Sequence, residues 1–153
     1  TSNPKPQTLW ERCEMPVDIV LFEGWCLGFT PQSDDALIKP INKLEADEDK
    51  QGIWRKQVNE TLADEYQQLF QMTDKIIYLK APSFASVFAW RKQQEVETFA
   101  QQTSSGMNDK ALRRFMAHYE RLTRHGLATM PKTADVVFTL GEQHQCLQAY
   151  YKI

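Results

Sequence analysis

The stretch "VDIVLFEGWCLGF", Val17 to Phe29, decides how the rest of the chain is read. Residues 17–22 are short, largely apolar and rich in β-branched side chains, which predicts a strand buried on both faces. The run ends in Glu23 and passes into a loop with Gly24 and Gly28 between the aromatic residues Trp25 and Phe29. In open parallel sheets, ligands gather at the carboxyl ends of strands. Glu23 therefore stands where a metal-bound phosphate or a reacting hydroxyl would lie. An apolar strand ending in an acid is the Walker B arrangement, in which the acid works on Mg²⁺ or on the attacking nucleophile. The same pattern also describes the polar end of an ordinary core strand. The glycines permit close backbone approach, and Trp25 and Phe29 are placed to wall a pocket.

Upstream, Thr1 to Gln7 is polar, carries two prolines and reads as loop. Downstream, Thr30–Ala36 reads as a turn-rich loop and Lys43–Gln51 as a highly charged one. From Ile53 to Met72, apolar residues at Trp54, Val58, Leu62, Tyr66, Leu69 and Phe70 follow helical spacing. "DKIIYLKAP" predicts a second buried strand, Lys75–Leu79, stopped by Pro82. Ser83 can cap a helix whose apolar face is Val87, Phe88, Trp90 and Phe99. After a break at "QQTSSGMND", Asn108 or Asp109 caps another helix with Leu112, Phe115, Met116, Tyr119 and Leu122 on one face. "ADVVFTL" follows Pro131 as a third strand, and "QCLQAYYKI" reads as a strand or a short helix. Alternating strands and helices argue for an α/β domain with a mostly parallel sheet, since parallel strands need crossover helices. Three core strands are few for such a sheet.

Composition bounds the class. With 153 residues, 42% of them apolar, the chain is sized for one core and one domain over residues 1–153. A net charge of −2 with 25% charged residues gives no reason to expect nucleic acid or an anionic membrane as partner. No apolar run approaches the ~20 residues of a membrane helix, and the N-terminus lacks a signal-peptide apolar region. Cys13, Cys26 and Cys146 lie far apart without CxxC spacing, as expected of reduced thiols in a cytoplasmic protein.

Further candidates come from charged and polar clusters. The segment "PINKLEADEDKQGIWRKQVN" supplies Asn42, Glu45, Asp49, Trp54, Arg55 and Asn59 as potential ligand groups, and equally describes a solvated loop leading into a helix. Arg91 and Glu95 are spaced for a helical i,i+4 pair, while an arginine fork is also suited to gripping phosphate oxygens. Arg113, Arg114, Arg121 and Arg124 form a basic set on the following helix. None of the six glycines is followed by Lys-Ser or Lys-Thr, so GxxxxGK[ST], the phosphate-cradling P-loop, is absent. His118, His125 and His144 have no zinc-site spacing, and no GxSxG elbow occurs.

Taken together, "VDIVLFEGWCLGF", "PINKLEADEDKQGIWRKQVN", "LFQMTDKIIYLKAP", "WRKQQE" and "GMNDKALRRFMAHYERL" resemble the D-glycerate 3-kinases of the plant and fungal type. These are P-loop kinases akin to phosphoribulokinase, uridine kinase and pantothenate kinase. The resemblance runs from about Pro4 to Leu140 and implies ATP- and Mg²⁺-dependent phosphorylation of D-glycerate at its 3-hydroxyl. It implies that Glu23 is the catalytic and metal-side acid. Trp25, Gly28, Phe29, Asn42, Glu45, Trp54, Arg55 and Asn59 fall in stretches suited to the acceptor. Arg91 would be catalytic and, with Glu95, Arg113 and Arg114, would hold the ATP phosphates, on a lid-like helical region over 83–130. Residues 1–16 resemble a linker preceding the Walker B strand. The family carries a further N-terminal portion with the P-loop, and "TLGEQHQ" departs from the family's nucleotide-base loop.

The expected fold is thus α/β, a partial P-loop kinase fold: a mostly parallel sheet of about three strands with flanking helices, lacking the P-loop strand. In such kinases that strand lies between the Walker B strand and the one corresponding to Lys75–Leu79. Without it, two edges would keep unpaired backbone groups. The expected partners are therefore the N-terminal P-loop portion or a second copy of the chain, besides a small-molecule substrate. Direct pairing across the gap or a rearranged sheet are the other outcomes. By itself the chain is expected to be inactive. The alternatives are a non-catalytic, self-associating remnant, or a kinase acting on a nucleoside or pantothenate-like alcohol.

Overall fold

Strands β1 (Ile77–Lys80), β2 (Val136–Leu140) and β3 (Cys146–Tyr151) form one sheet in the order β1–β2–β3. The computed structural model describes residues 7–9, 15–99 and 106–152. β1 and β2 are parallel, with Ile77 opposite Val136, and β3 returns antiparallel to β2. The parallel pair requires a crossover, supplied by helices α5 (Phe84–Phe99) and α6 (Asp109–Thr133). Before the sheet come four short helices: α1 (Asp34–Ile38), α2 (Lys43–Glu48), α3 (Ile53–Ala63) and α4 (Glu65–Phe70). The α/β class and the three-stranded sheet with flanking helices are as the sequence indicates.

The membership of the sheet is different from the expected one. Residues 17–22 join no ladder, and their apolar side chains lie open: Ile19 is 78% and Leu21 87% exposed. The third place belongs to "QCLQAYYKI", which forms β3. A strand is stabilised by its neighbours, and the β1 edge remote from β2 pairs with nothing among the described residues. Neither direct pairing across the gap nor a rearranged sheet takes up residues 17–22. β1 itself is only half covered, with Ile77 57% and Leu79 60% exposed, where a fully buried strand was expected.

Four other boundaries move, the first at Asp34–Ala36, which was expected as the end of a loop and opens α1. Lys43–Glu48 is helical rather than loop because Asn42 caps it, its side chain accepting from the Glu45 N–H. The helix expected from Ile53 to Met72 breaks at Asp64 into α3 and α4. α6 runs through Pro131 to Thr133, with the proline in its last turn. The expected caps hold: Ser83 Oγ accepts from the Ser86 N–H, and Asn108 Oδ1 from the Ala111 N–H. Most of the linker assigned to residues 1–16, Cys13 and most of the "QQTSSGMND" break lie outside the described residues. Cys26 and Cys146 are free thiols, and burial pushes the Cys26 thiol up to about 11.

The core gathers Phe29, Leu62, Phe70, Met130, Ala134 and Val137, joining the loop after Glu23 to α3, α4, the end of α6 and β2. Phe29 is 2% exposed, and its ring lies on the backbone of α6 where Gly126 offers no side chain. A Cβ at position 126 would stand 2.2 Å from Phe29 Cζ. Gly126→Ala is therefore expected to destabilise the chain by about 1–3 kcal/mol through overpacking. Phe29→Leu in the same chain should recover part of the loss, read as a shift in denaturation midpoint. An unchanged midpoint in Gly126→Ala would contradict this packing.

Candidate functional site

Two buried arginines organise the region between α1 and α6. Arg55 on α3 donates from Nε to the Leu37 carbonyl at 2.6 Å and from a terminal nitrogen to the Ile38 carbonyl at 3.1 Å. Arg121 on α6 donates to the Ala36 and Lys39 carbonyls, both at 2.8 Å. Together they satisfy the carbonyls that α1 leaves unpaired at its C-terminal end. Each arginine is neutralised by a buried carboxylate. Glu45 accepts two bonds from Arg121, at 2.8 and 2.6 Å, and Asp49 accepts from Arg55 at 3.0 Å. Asp49 also accepts from the Trp54 and Arg55 N–H groups, which starts α3.

Burial alone would raise the Glu45 carboxyl. The Arg121 hydrogen bond, the Ile41 N–H and the Arg121 and Arg55 charges outweigh it and hold the group below the usual range. Asp49 follows the same pattern: burial raises it, while the Trp54 and Arg55 N–H bonds and the Arg55 guanidinium lower it further.

Beside this network lies a cavity of about 110 Å³, lined among others by Gln32, Trp54, Asn59, His118, Arg121 and Leu122. Asn59 clamps its wall by exchanging two bonds with the Gln32 backbone, at 2.7 and 3.0 Å. The Gln32 Oε1 atom is buried here without a hydrogen-bond partner among the described residues. Asn42 ties the start of α2 to α6, donating to the Ala117 carbonyl at 2.9 Å and to Glu120 at 3.2 Å. Of the acceptor-side candidates, Glu45, Trp54, Arg55 and Asn59 thus line one cavity, and Asn42 joins α2 to α6. Gln32 was missed by sequence reading; nothing in "TPQSDD" distinguishes it.

The loop after Glu23 meets the opposite face of α6. Glu23 is exposed and forms no ion pair among the described residues. Trp25 donates from Nε1 to Thr123 Oγ1 at 3.1 Å and stacks on Tyr119, with ring centroids 4.9 Å apart and planes 15° from parallel. Gly28 adopts φ +77°, and a Cβ there would press Ile76 and Met130 at 3.1 and 3.2 Å. Gly28 and Phe29 thus seat the loop in the core.

Arg91 on α5 and Arg113 and Arg124 on α6 rest on rings. Arg91 lies over Phe115 at 5.6 Å and pairs with Glu95. Glu95 is buried, and its other oxygen accepts from the Met107 N–H at 3.1 Å, so it ties α5 to the entry of α6. Arg113 lies over Phe88 at 5.2 Å, and Arg114 pairs with Glu48 through both carboxylate oxygens.

A second, open cleft of about 600 Å³ lies beyond the carboxyl ends of β1 and β2, lined among others by Lys80, Pro82, Thr139, Glu142 and Gln145. Trp90 bounds the turn beside it, donating to the Glu142 carbonyl at 2.7 Å and lying 4.3 Å from the His144 ring. No group of three or more metal-ligating side chains occurs among the described residues.

No protein-family model matches the chain. Over 102 residues it is 34% identical to the uncharacterized kinase mug58 of Schizosaccharomyces pombe, covering 65% of this chain and 35% of that protein. Over 110 residues it is 29% identical to the chloroplastic D-glycerate 3-kinase of Arabidopsis thaliana, covering 72% of this chain and 22% of the relative. Its fold matches the D-glycerate 3-kinase of Cryptococcus neoformans with a TM-score of 0.72 at 23% identity, over 92% of this chain and 52% of the other. It also matches the YGR205w protein with a TM-score of 0.60 at 19% identity, over 84% and 46%. The chain is D-glycerate 3-kinase-like in sequence and fold, and spans about half or less of each of these proteins.

Because Arg121 and Glu45 are both buried, removing one partner leaves an uncompensated charge. Arg121→Met is expected to cost about 3–5 kcal/mol in chemical denaturation, and the Arg121→Met/Glu45→Leu pair much less. A double variant no more stable than the single one would contradict the coupling.

The pH dependence has a defined sign. Glu45 and Asp49 titrate lower in the folded chain than unfolded. Their contribution is complete above the unfolded carboxyl range of about 4 and is lost as pH falls through the folded values. Stability should fall on acidification below about pH 4, less steeply in the double variant than in the parent.

Proposed function

We propose that this chain is the C-terminal part of a cytoplasmic, ATP-dependent small-molecule kinase that phosphorylates the 3-hydroxyl of D-glycerate. The observation that carries the reading is the combined sequence and fold likeness to D-glycerate 3-kinases over most of the chain. The arrangement of side chains is compatible with it. The cavity beside Glu45, Arg55 and Arg121 is small, with a mostly apolar lining that carries a few polar side chains.

Glu23 would serve at the reacting end. Mg²⁺ is usually held by one or two carboxylates with the remaining positions filled by phosphate and water, so one open carboxylate fits its protein-side ligand. When bound, the ion would neutralise the charge developing on the transferring phosphoryl group. Glu23 would orient the acceptor hydroxyl and take up its proton, and Arg91 and Arg113, each held over a ring, would place guanidinium groups against the phosphate oxygens. Arg114, held by Glu48, would reach the phosphates only after leaving that pair, and Glu95 would act by orienting Arg91.

The backbone cradle and its lysine would come from the N-terminal P-loop portion, entering beside residues 17–22 and β1. The exposed apolar side chains of Ile19, Val20 and Leu21 and the open β1 edge favour such a partner. The same surface supports the second reading, a self-associating module, which sizing by light scattering separates from the first. A dimer built through residues 17–22, with no kinase on complementation, would select it.

On the kinase reading, the 153-residue chain alone does not turn over ATP. Joined to the P-loop portion of a D-glycerate 3-kinase, it is expected to phosphorylate D-glycerate. Glu23→Gln should lower kcat by about 10²–10⁴-fold in that assembly. Turnover by the isolated chain, or an unchanged kcat in the variant, would contradict the assignment.

A further inference from the structure

The loop after Glu23 and the helix bearing Arg91 are joined by one run of ring contacts, stacked at Trp25–Tyr119 and tilted by 48° at Tyr119–Phe115. Trp25 lies on Tyr119 at 4.9 Å, Tyr119 on Phe115 at 5.1 Å, and the Arg91 guanidinium over Phe115 at 5.6 Å. Phe115, Tyr119 and Thr123 are spaced four apart on α6 and so share one line along the helix. Thr123 fixes the indole at one end through the Nε1 bond. Glu95 fixes the guanidinium at the other.

Other contacts also hold both elements: Trp90 ties α5 to the Glu142 carbonyl and the His144 ring, and Gly28 and Phe29 seat the loop in the core. α5 buries only Ser86 and Glu95, both polar, and meets α6 through the arginine–ring contacts and the Lys92–Asp109 pair. Within the 24–29 turn Leu27 donates to the Gly24 carbonyl and Phe29 to the Cys26 carbonyl, and the Phe29 carbonyl accepts from Gln67 Nε2 at 3.0 Å. We infer that Trp25 is a positioning residue, which through the rings of Tyr119 and Phe115 sets the Arg91 guanidinium relative to the Glu23 carboxylate. Rings in contact leave no slack, so a shift at the indole is passed to the next plane. The catalytic meaning of this link rests on the kinase reading above; the link itself does not.

The test follows the Arg91 Nε–H and Trp25 indole N–H resonances in ¹⁵N-labelled chain. The Phe115 ring should hold the Arg91 signal upfield of an exposed arginine. Trp25→Leu and Tyr119→Leu are each expected to move it toward the exposed position, and Trp25→Phe, which keeps a ring, to restore it. Phe84→Leu, which removes the ring under Arg124, should leave it in place. An Arg91 signal unmoved in folded Tyr119→Leu or Trp25→Leu chain would overturn the link, and if one variant unfolds the other decides.

In the assembly with the P-loop portion, Trp25→Leu should lower kcat by about 10²-fold, with KM for ATP unchanged. A normal kcat beside a moved Arg91 signal would overturn the positioning role. Absence of turnover in the parent assembly would refute the kinase reading instead, leaving the resonance result to decide the link.

Discussion

A β-strand cannot satisfy its own backbone; each edge needs a neighbour or water. Among the described residues β1 has β2 on one side and nothing on the other, and residues 17–22 have no strand on either side. Burying a Val, Leu, Ile or Phe side chain contributes about 1.5–3 kcal/mol each. The five apolar side chains of residues 17–22 therefore leave roughly 10 kcal/mol of burial unrealised. That open seam is the constraint the described structure leaves unmet.

The remainder stands because it does not rely on the seam. The core formed by Phe29, Leu62, Phe70, Met130 and Val137 lies where α3, α4 and α6 meet β2. α6 is buried on two faces. Leu112, Met116 and Met130 meet apolar neighbours, and Arg121, nine residues past Leu112 and so half a turn around, meets Glu45 and the end of α1. A buried ion pair is no guarantee of stability, but here each carboxylate also braces a helix start. The result is a rigid small cavity beside a loop whose preceding segment is uncovered.

The sequence made much of this legible. Strand β2, the caps at Ser83 and Asn108, and the alternation that gives the α/β class follow from local chemistry. Residues 17–22 read as a strand because strand propensity is local, whereas pairing needs a neighbour that composition cannot supply. Arg121 reads as one of a solvated basic set because its partner Glu45 is 76 residues away. Lys43–Glu48 reads as loop because charge hides a helix whose signal is one cap, Asn42. Phe29 looks like a pocket wall until Gly126 is seen to make room for its ring in the core. Trp25 was visible as an aromatic beside an acid; its stack on Tyr119 joins residues 94 positions apart in the chain.

The most direct test of the central claim is amide hydrogen exchange of residues 17–22 and of β1, in the chain alone and in the assembly with a P-loop portion. The account expects residues 17–22 to exchange at nearly unprotected rates in the monomeric chain. It expects these amides and those on the open edge of β1 to become protected in the assembly, as strands paired on both sides do. Strong protection in the isolated monomer, or none in a catalytically active assembly, would contradict it.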